Sequence, residues 1–284
     1  MILGVLKEPA GEHRIAMSPE VVKQLTARQL TVWVEQGAGE TASISDADFE
    51  AVGAQSQSRN TILEQADLVI GIIALSEADF GRMKNGSLLF GMYQPLLNAA
   101  LMSAIAQKGL TLFSMDAVPR ITRAQAMDVL SSQSTVAGYK AVLLAAGLLP
   151  RFFPMLMTAA GTIAPAKVLI IGAGVAGLQA IATAKRLGAV VEAFDTRPSV
   201  KEQVESLGGK FVEVAGAVED KAAGGYAVEQ SEEFKARQSA ELAKRIVAAD
   251  VVITTALIPG KKAPVLISRE MVAQMKAGAV IIDL

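Results

Sequence analysis

Gly172, Gly174 and Gly177 stand at G-x-G-x-x-G spacing, and Asp195 follows them by about 20 residues, with Thr196 and Arg197 directly behind it. Each position has a physical task in binding a pyrophosphate. The first glycine permits a tight turn, the second lets the backbone approach the phosphates, and the third lets a helix pack closely on a strand. The free N–H groups and positive dipole end of that helix face the anion. Asp195 can accept hydrogen bonds from both hydroxyls of an adenosine ribose and would repel a 2′-phosphate, which favours NAD over NADP. Arg197 is read as lying over adenine or pairing with a phosphate.

A second group is polar. Arg120 precedes a segment in which Gln125, Asp128 and Ser131 fall at i, i+3 and i+6. Thr122 reads as the N-cap of a helix running from Arg123 towards Ser132, which would set the three side chains on one slowly drifting face. Such a pattern is either a solvated helix face or a cluster aimed at a nicotinamide, whose carboxamide and ribose an amide, a carboxylate and a guanidinium can fix. Spacing alone does not separate the two.

The elements that must carry these residues alternate between strand-like and helix-like runs, the pattern of an α/β fold with parallel sheets. Strands are expected at Ile2–Leu6, Thr31–Glu35, Asp67–Ile73, Ser87–Phe90 and Leu110–Met115. Helices follow Ser18-Pro19 and Ser45, and another covers Asn98–Gln107. Ala137–Leu149 reads as a nearly uncharged helix leading into a second domain. There Val168–Ile171 is a strand buried on both faces, Ala189–Phe194 a second and Lys210–Val214 a third. Ala215–Gln230, with Gly225 and Tyr226, reads as a long mobile loop. A charged helix (Ser231–Ala248), a strand (Asp250–Thr255), a short helix (Ser268–Met275) and a last strand (Ala279–Leu284) complete the pattern. We expect two Rossmann-like domains, residues 1–136 and 137–284, the second an NAD-binding doubly wound fold that is incomplete at its C-terminus. An apolar strand ending at Asp283-Leu284 makes a poor natural terminus.

Bulk properties narrow the partners. At 284 residues with net charge −1, the chain has no basic footprint for nucleic acid. Having no cysteine and a single histidine, His13, it has no thiolate or histidine-rich metal centre. Mean hydropathy is high at +0.38. Even so, the longest uncharged runs, Phe152–Ala166 and Val168–Ala184, are broken by prolines or are the glycine fingerprint itself, so neither reads as a membrane span.

Four stretches carry a resemblance: PRITRAQAMDVLSSQSTVAGYKA (Pro119–Ala141), MTAAGTIAPAKVLIIGAGVAGLQAIATAKRLGA, VKEQVESLGGKF (Val200–Phe211) and TTALIPGKKAPVLISREMV (Thr254–Val272). They closely resemble the NAD(H)-binding domain at the N-terminus of the alpha subunit of proton-translocating NAD(P) transhydrogenase. The wider superfamily includes alanine dehydrogenase, similar here at Arg14-Ile15-Ala16. The resemblance implies that NADH is bound on this chain and that its hydride passes directly to NADP⁺ on a separate domain, with a membrane domain coupling the step to proton movement. It further implies that Arg120, Ile121, Thr122, Arg123, Gln125, Asp128 and Ser131 hold the nicotinamide end, with Arg120, Gln125 and Asp128 nearest the chemistry. Gly172, Gly174, Val175 and Gly177 would carry the pyrophosphate and Asp195, Thr196 and Arg197 the adenosine. Gly225 would lie in a closing loop and Leu257 beside the cofactor. A homodimer is expected, held at the cytoplasmic side of the inner membrane through partner subunits.

Hydride transfer between two nicotinamides leaves no alkoxide or imine to protonate, so positioning rather than a general acid is required. The alternative, an alanine dehydrogenase, needs proton transfer, and that family uses a His and a Lys. Val69–Glu77 and Leu89–Asn98 contain neither, and His13 reads as an exposed loop residue. A non-catalytic NAD-binding fragment is the third reading.

Overall fold

The computed structural model describes residues 1–217, 231–256 and 263–284, and the chain divides into two compact units, Met1–Val129 and Leu130–Leu284.

The first unit runs β1 (Ile2–Val5), α1 (Pro19–Ala27), β2 (Thr31–Glu35), α2 (Asp46–Glu50), β3 (Gln55–Gln57), α3 (Arg59–Gln65), β4 (Leu68–Ile73), α4 (Glu77–Phe80), β5 (Leu88–Met92), α5 (Ala99–Gln107) and β6 (Thr111–Ser114). Its strands form one parallel sheet in the order β3-β2-β1-β4-β5-β6. Leu3, Val5, Val32 and Val34 pack with Val22 and Phe49 in one apolar cluster. Leu6, Val69, Leu89 and Tyr93 join Ile62 and Leu63 of α3 in another. Helices thus cover both faces, as a parallel sheet requires. Serines start several of the helices. Ser45 forms a full capping box with Asp48, and Ser58 and Ser76 each accept an N–H from the third residue onward. β3, α3 and α4 escape the sequence reading because Gln55-Ser56-Gln57 has no apolar alternation and α4 spans a single turn.

Beside the ends of β1 and β4, Glu8 turns its carboxylate onto the N–H groups of Ile72 (2.6 Å) and Ile73 (3.0 Å). The cleft there, about 170 Å³, is also lined by Lys7, Arg59 and Asp79. Arg59 donates to Glu35 at 2.8 Å and Asp79 at 2.9 Å, and Lys7 to Glu40 at 3.1 Å.

The second unit holds α6 (Val129–Leu148, whose first residue closes the first unit), β7 (Leu156–Thr158), β8 (Gly161–Ile163), β9 (Lys167–Ile171), α7 (Val175–Arg186), β10 (Val190–Phe194), α8 (Lys201–Ser206), β11 (Lys210–Phe211), α9 (Glu232–Ala248), β12 (Val251–Thr254), α10 (Arg269–Ala273) and β13 (Val280–Asp283). The parallel sheet is ordered β11-β10-β9-β12-β13. β9 is buried on both sides: Val168 and Ile170 pack with α6 and α7, while Leu169 and Ile171 pack with Phe234, Leu242 and Ile246 of α9. The apolar stretch Phe152–Ala166 contains an antiparallel hairpin of β7 and β8, separate from the main sheet, with Met155, Met157 and Ile163 exposed. Gly161, at φ 138°, opens β8 directly after the two-residue turn and pairs with Thr158. Among the described residues no helix is long and apolar enough to cross a membrane, and no His, Cys, Asp or Glu cluster could hold a metal ion.

Asp250, 4% exposed, ties this sheet together at the start of β12. It accepts Arg151 Nη1 at 3.0 Å, Lys276 Nζ at 2.8 Å and the Lys167 N–H at 2.8 Å. Burial pushes its carboxyl upward, but these partners outweigh burial and hold it below its ordinary value. A group depressed in the folded state stabilises above its unfolded pKa, near 4, and loses that contribution as pH falls through the lower folded value. Urea unfolding should show stability level from neutral pH down to about 5 and declining below about 4. Asp250→Asn should cost about 2 kcal/mol at pH 7 and make that acid decline shallower. An unchanged acid limb would remove Asp250 from this role.

Candidate functional site

The glycine loop lies at the carboxyl end of β9, the central strand of the second sheet, where open α/β sheets bind ligands. Its three glycines are required for different reasons. Gly172 has φ 104° and donates its N–H to the Phe194 carbonyl at 2.8 Å; a Cβ there would lie 2.5 Å from Thr255 Oγ1. At Gly177 a Cβ would lie 1.9 Å from the Gly172 carbonyl oxygen, so the helix can approach the strand only without a side chain. Gly174 is different. Its φ of −76° suits any residue, and a Cβ there would meet nothing within 4 Å. It is the N-cap of α7 and supplies no side-chain cap, and Val175 begins the helix. The packing of the protein itself does not require this glycine.

Asp195 stands at the end of β10 with its side chain 6% exposed. Oδ2 accepts the Ala173 N–H at 2.7 Å and Arg197 Nη2 at 2.8 Å, and Oδ1 accepts the Arg197 N–H and Nε, both at 2.9 Å. Burial raises its pKa; the Arg197 guanidinium and the two backbone N–H groups more than reverse this, so the carboxyl lies below its ordinary range. In this structure the Arg197 guanidinium forks onto Asp195, two residues back. Thr196 is half-buried between them. Beyond Asp195 opens a cleft of about 470 Å³ lined by Pro198, Lys201, Phe211, Glu213 and Val214, with Lys201 and Glu213 paired at its rim.

The polar group of the first unit is not arranged as its spacing suggests. Thr122–Met127 is a 3-10 turn whose N-cap is Ile121, not Thr122, and Asp128, at φ −78° and ψ 82°, breaks the chain before α6 begins at Val129. A single helix from Arg123 to Ser132 does not form, because the extended ψ of Asp128 interrupts the ladder. Thr122 and Gln125 share a direction in the 3-10 turn. Arg120 Nε lies 3.4 Å from Asp128 Oδ2, Arg120, Arg123 and Gln125 are exposed, and Ser131 is half-buried in the first turn of α6. Gly225, Tyr226 and Leu257 lie outside the described residues.

Three contributors escape the sequence reading. Thr255 donates its hydroxyl to the Gly172 carbonyl at 3.0 Å and so props the loop. Gly138 on α6 sits against the first turn of α7, where a Cβ would come within 2.1 Å of the Ala176 carbonyl. A lone glycine inside a helical pattern is the available signal for it. Gly138→Ala should push the first turn of α7 off its place and cost about 3 kcal/mol in denaturant unfolding, whereas Gly147→Ala, with open space around it, should be neutral or slightly stabilising. The third contributor is the wall of the cleft beyond Asp195, whose residues have no motif.

In the first unit His13 is an exposed loop residue. Arg14 is held by Glu12 through Nε at 2.9 Å and Nη2 at 2.6 Å, and this pairing draws the Glu12 carboxyl down to about 2.

Comparison with known proteins bears on the whole chain. The family model "Alanine dehydrogenase/PNT, N-terminal domain" matches residues 4–137, and "Alanine dehydrogenase/PNT, C-terminal domain" matches residues 141–284. The chain belongs to the alanine dehydrogenase/PNT family. Among its relatives, an NAD(P) transhydrogenase alpha-subunit protein of Rhodospirillum rubrum is 52% identical, over 96% of this chain and 73% of that protein. Alanine dehydrogenase of Mycolicibacterium smegmatis is 32% identical over 100% of this chain and 72% of that protein. The solved transhydrogenase of Sinorhizobium meliloti superposes with a TM-score of 0.87 at 44% identity, over 99% of this chain and 77% of that one. The family fold of paired parallel α/β units is the one described above, and NAD binding is the family property that the glycine loop fits.

Proposed function

We propose that this chain is the NAD(H)-binding, hydride-transferring component of a proton-translocating NAD(P) transhydrogenase. The observation that carries the reading is Gly174, open to its surroundings at the N-terminus of α7 with Asp195 at the end of the adjacent strand. It is supported by the greater identity to transhydrogenase alpha subunits than to alanine dehydrogenase, 52% against 32%.

In this reading Gly172, Gly174, Val175 and Gly177 shape the loop and helix start that carry a pyrophosphate, and Asp195, with Thr196 and Arg197, holds the adenosine. Arg120, Ile121, Thr122, Arg123, Gln125, Asp128 and Ser131 serve the nicotinamide end, where Gln125, Asp128 and Arg120 fix the ring by its carboxamide and ribose. Gly225 and Leu257 keep the roles that the resemblance implies. NADH supplies a hydride from C4 of its ring, and NADP⁺ on a partner subunit accepts it. The work left to these side chains is alignment and the exclusion of water. The partners are an NADP(H)-binding subunit and a membrane domain that moves protons, with the chain as a homodimer on the cytoplasmic face of the inner membrane. The division of labour follows domains at residues 1–136 and 137–284.

The test is to mix the chain with an NADP(H)-binding partner domain and follow hydride transfer from NADH to an NADP⁺ analogue. Tight NADH binding without turnover against a competent partner would leave only a nucleotide-binding module.

Family membership also favours an amino-acid dehydrogenase as a second reading. Against it stand the absence of His and Lys from Val69–Glu77 and Leu89–Asn98 and the engagement of Arg14 by Glu12. NADH oxidation with pyruvate and ammonia should stay at background; a robust rate would revive that reading.

A further inference from the structure

Asp195 has two oxygens and four donors upon them: the N–H groups of Ala173 and Arg197, and Nε and Nη2 of Arg197. An ionised carboxylate offers about four acceptor positions, so this one is saturated. Two of the donors are main chain and fixed, one by the glycine loop and one by the end of β10. The other two belong to a side chain that can rotate away. They are also a pair of parallel N–H groups from one planar fork, the geometry a carboxylate edge accepts in bidentate fashion. A ribose with both hydroxyls intact brings a similar pair of donors to the same edge.

We propose that Arg197 is an internal competitor for Asp195: its guanidinium occupies the diol-binding edge and must be exchanged for the two ribose hydroxyls when a nucleotide binds. The inference rests on the nucleotide-site reading above and adds an exchange step to it. A vicinal diol replaces two donors with two donors, so Asp195 stays satisfied throughout. A 2′-phosphate has no such pair to give; it leaves the 6% exposed carboxylate short of donors and facing a second anion. Only a ligand with the intact diol displaces Arg197 without leaving Asp195 short of donors, and the displacement costs that ligand affinity that a chain without the fork would keep. The ion pair keeps Asp195 ionised well below neutral pH, so the exchange operates on a carboxylate under ordinary conditions.

Calorimetry on Arg197→Met and Arg197→Lys, with three probes, tests this. The probes are NADH, NADPH and an NADH analogue lacking both hydroxyls on the adenosine ribose. Removing the competitor should tighten NADH by about tenfold, the scale of one charge-assisted hydrogen bond, while leaving the analogue unchanged and widening the gap between NADH and NADPH. Arg197→Lys keeps the charge without the fork and should gain part of that. Weaker NADH binding, or equal shifts for NADH and the analogue, overturns the exchange. Should the Met variant fail to fold, the Lys variant decides by the same criteria. An unaltered chain that binds no NADH defeats the nucleotide-site reading, and the exchange with it. One that binds NADH without a gain in either variant defeats the exchange alone.

Discussion

Gly174→Ala should leave the melting temperature of the protein where it is and weaken NADH binding by about 10- to 100-fold, while Gly177→Ala should damage both. The difference follows from what each new methyl group would meet. At Gly177 it falls 1.9 Å from the Gly172 carbonyl oxygen, which is backbone and cannot yield without parting α7 from β9. The expected loss is about 3 kcal/mol of stability, with the N–H groups of the helix turned off their target. At Gly174 the methyl group has room, and the φ of −76° needs no glycine. Only an incoming group can object to it. Thermal unfolding and calorimetry on the same two variants read both quantities, and a Gly174→Ala protein that binds NADH normally would deny that phosphates come to this helix.

Gln125→Asn should slow hydride transfer by about 100-fold while changing NADH affinity by no more than about threefold. Asparagine keeps the amide and shortens its reach by one methylene. If Gln125 aligns the ring rather than merely holding it, the loss appears in the chemical step, because a misplacement of about 1 Å is enough to cost two orders of magnitude. Single-turnover transfer to an NADP⁺ analogue, compared with equilibrium binding, separates the two. Equal losses in rate and affinity would make Gln125 a binding residue only. Gln125 is exposed on a short 3-10 turn, so the variant should fold as the parent does, unlike a change in the buried sheets.

The parts legible in the sequence are those in which one residue type answers one physical demand. Gly172 and Gly177 are needed by the backbone, and Val168–Ile171 by a strand with no solvent face, so both are visible in the residue pattern alone. The segment around Gln125 reads as a helix because the three-residue spacing of Gln125, Asp128 and Ser131 suits an α-helix and a 3-10 turn alike; the ψ of 82° at Asp128 that interrupts the helix leaves no trace in composition. The hairpin of β7 and β8 is hidden because its apolar residues are exposed, the reverse of the pattern that periodicity detects. The Arg197 fork depends on side-chain direction. Spacing puts Asp195 and Arg197 near one another; it does not say that they face each other. Thr255, which props the glycine loop from 83 residues away, belongs to the tertiary fold alone.

Apart from the extra edge strand β6 in the first, the same strand order serves both units, β3-β2-β1-β4-β5 in the first and β11-β10-β9-β12-β13 in the second. The crevice beside the central strand is nevertheless furnished differently in each. In the second it is faced by the N-terminus of α7, which has neither an acidic residue in its first turn nor a side-chain cap among the described residues; in the first, Glu8 places a carboxylate on the N–H groups of Ile72 and Ile73. In the function proposed above, one copy of the architecture takes a ligand and the other holds its own side chain. Genetic damage should sort accordingly: lesions around Glu8 surface as protein that accumulates poorly, and lesions around Gly174 as protein that accumulates well and stands idle.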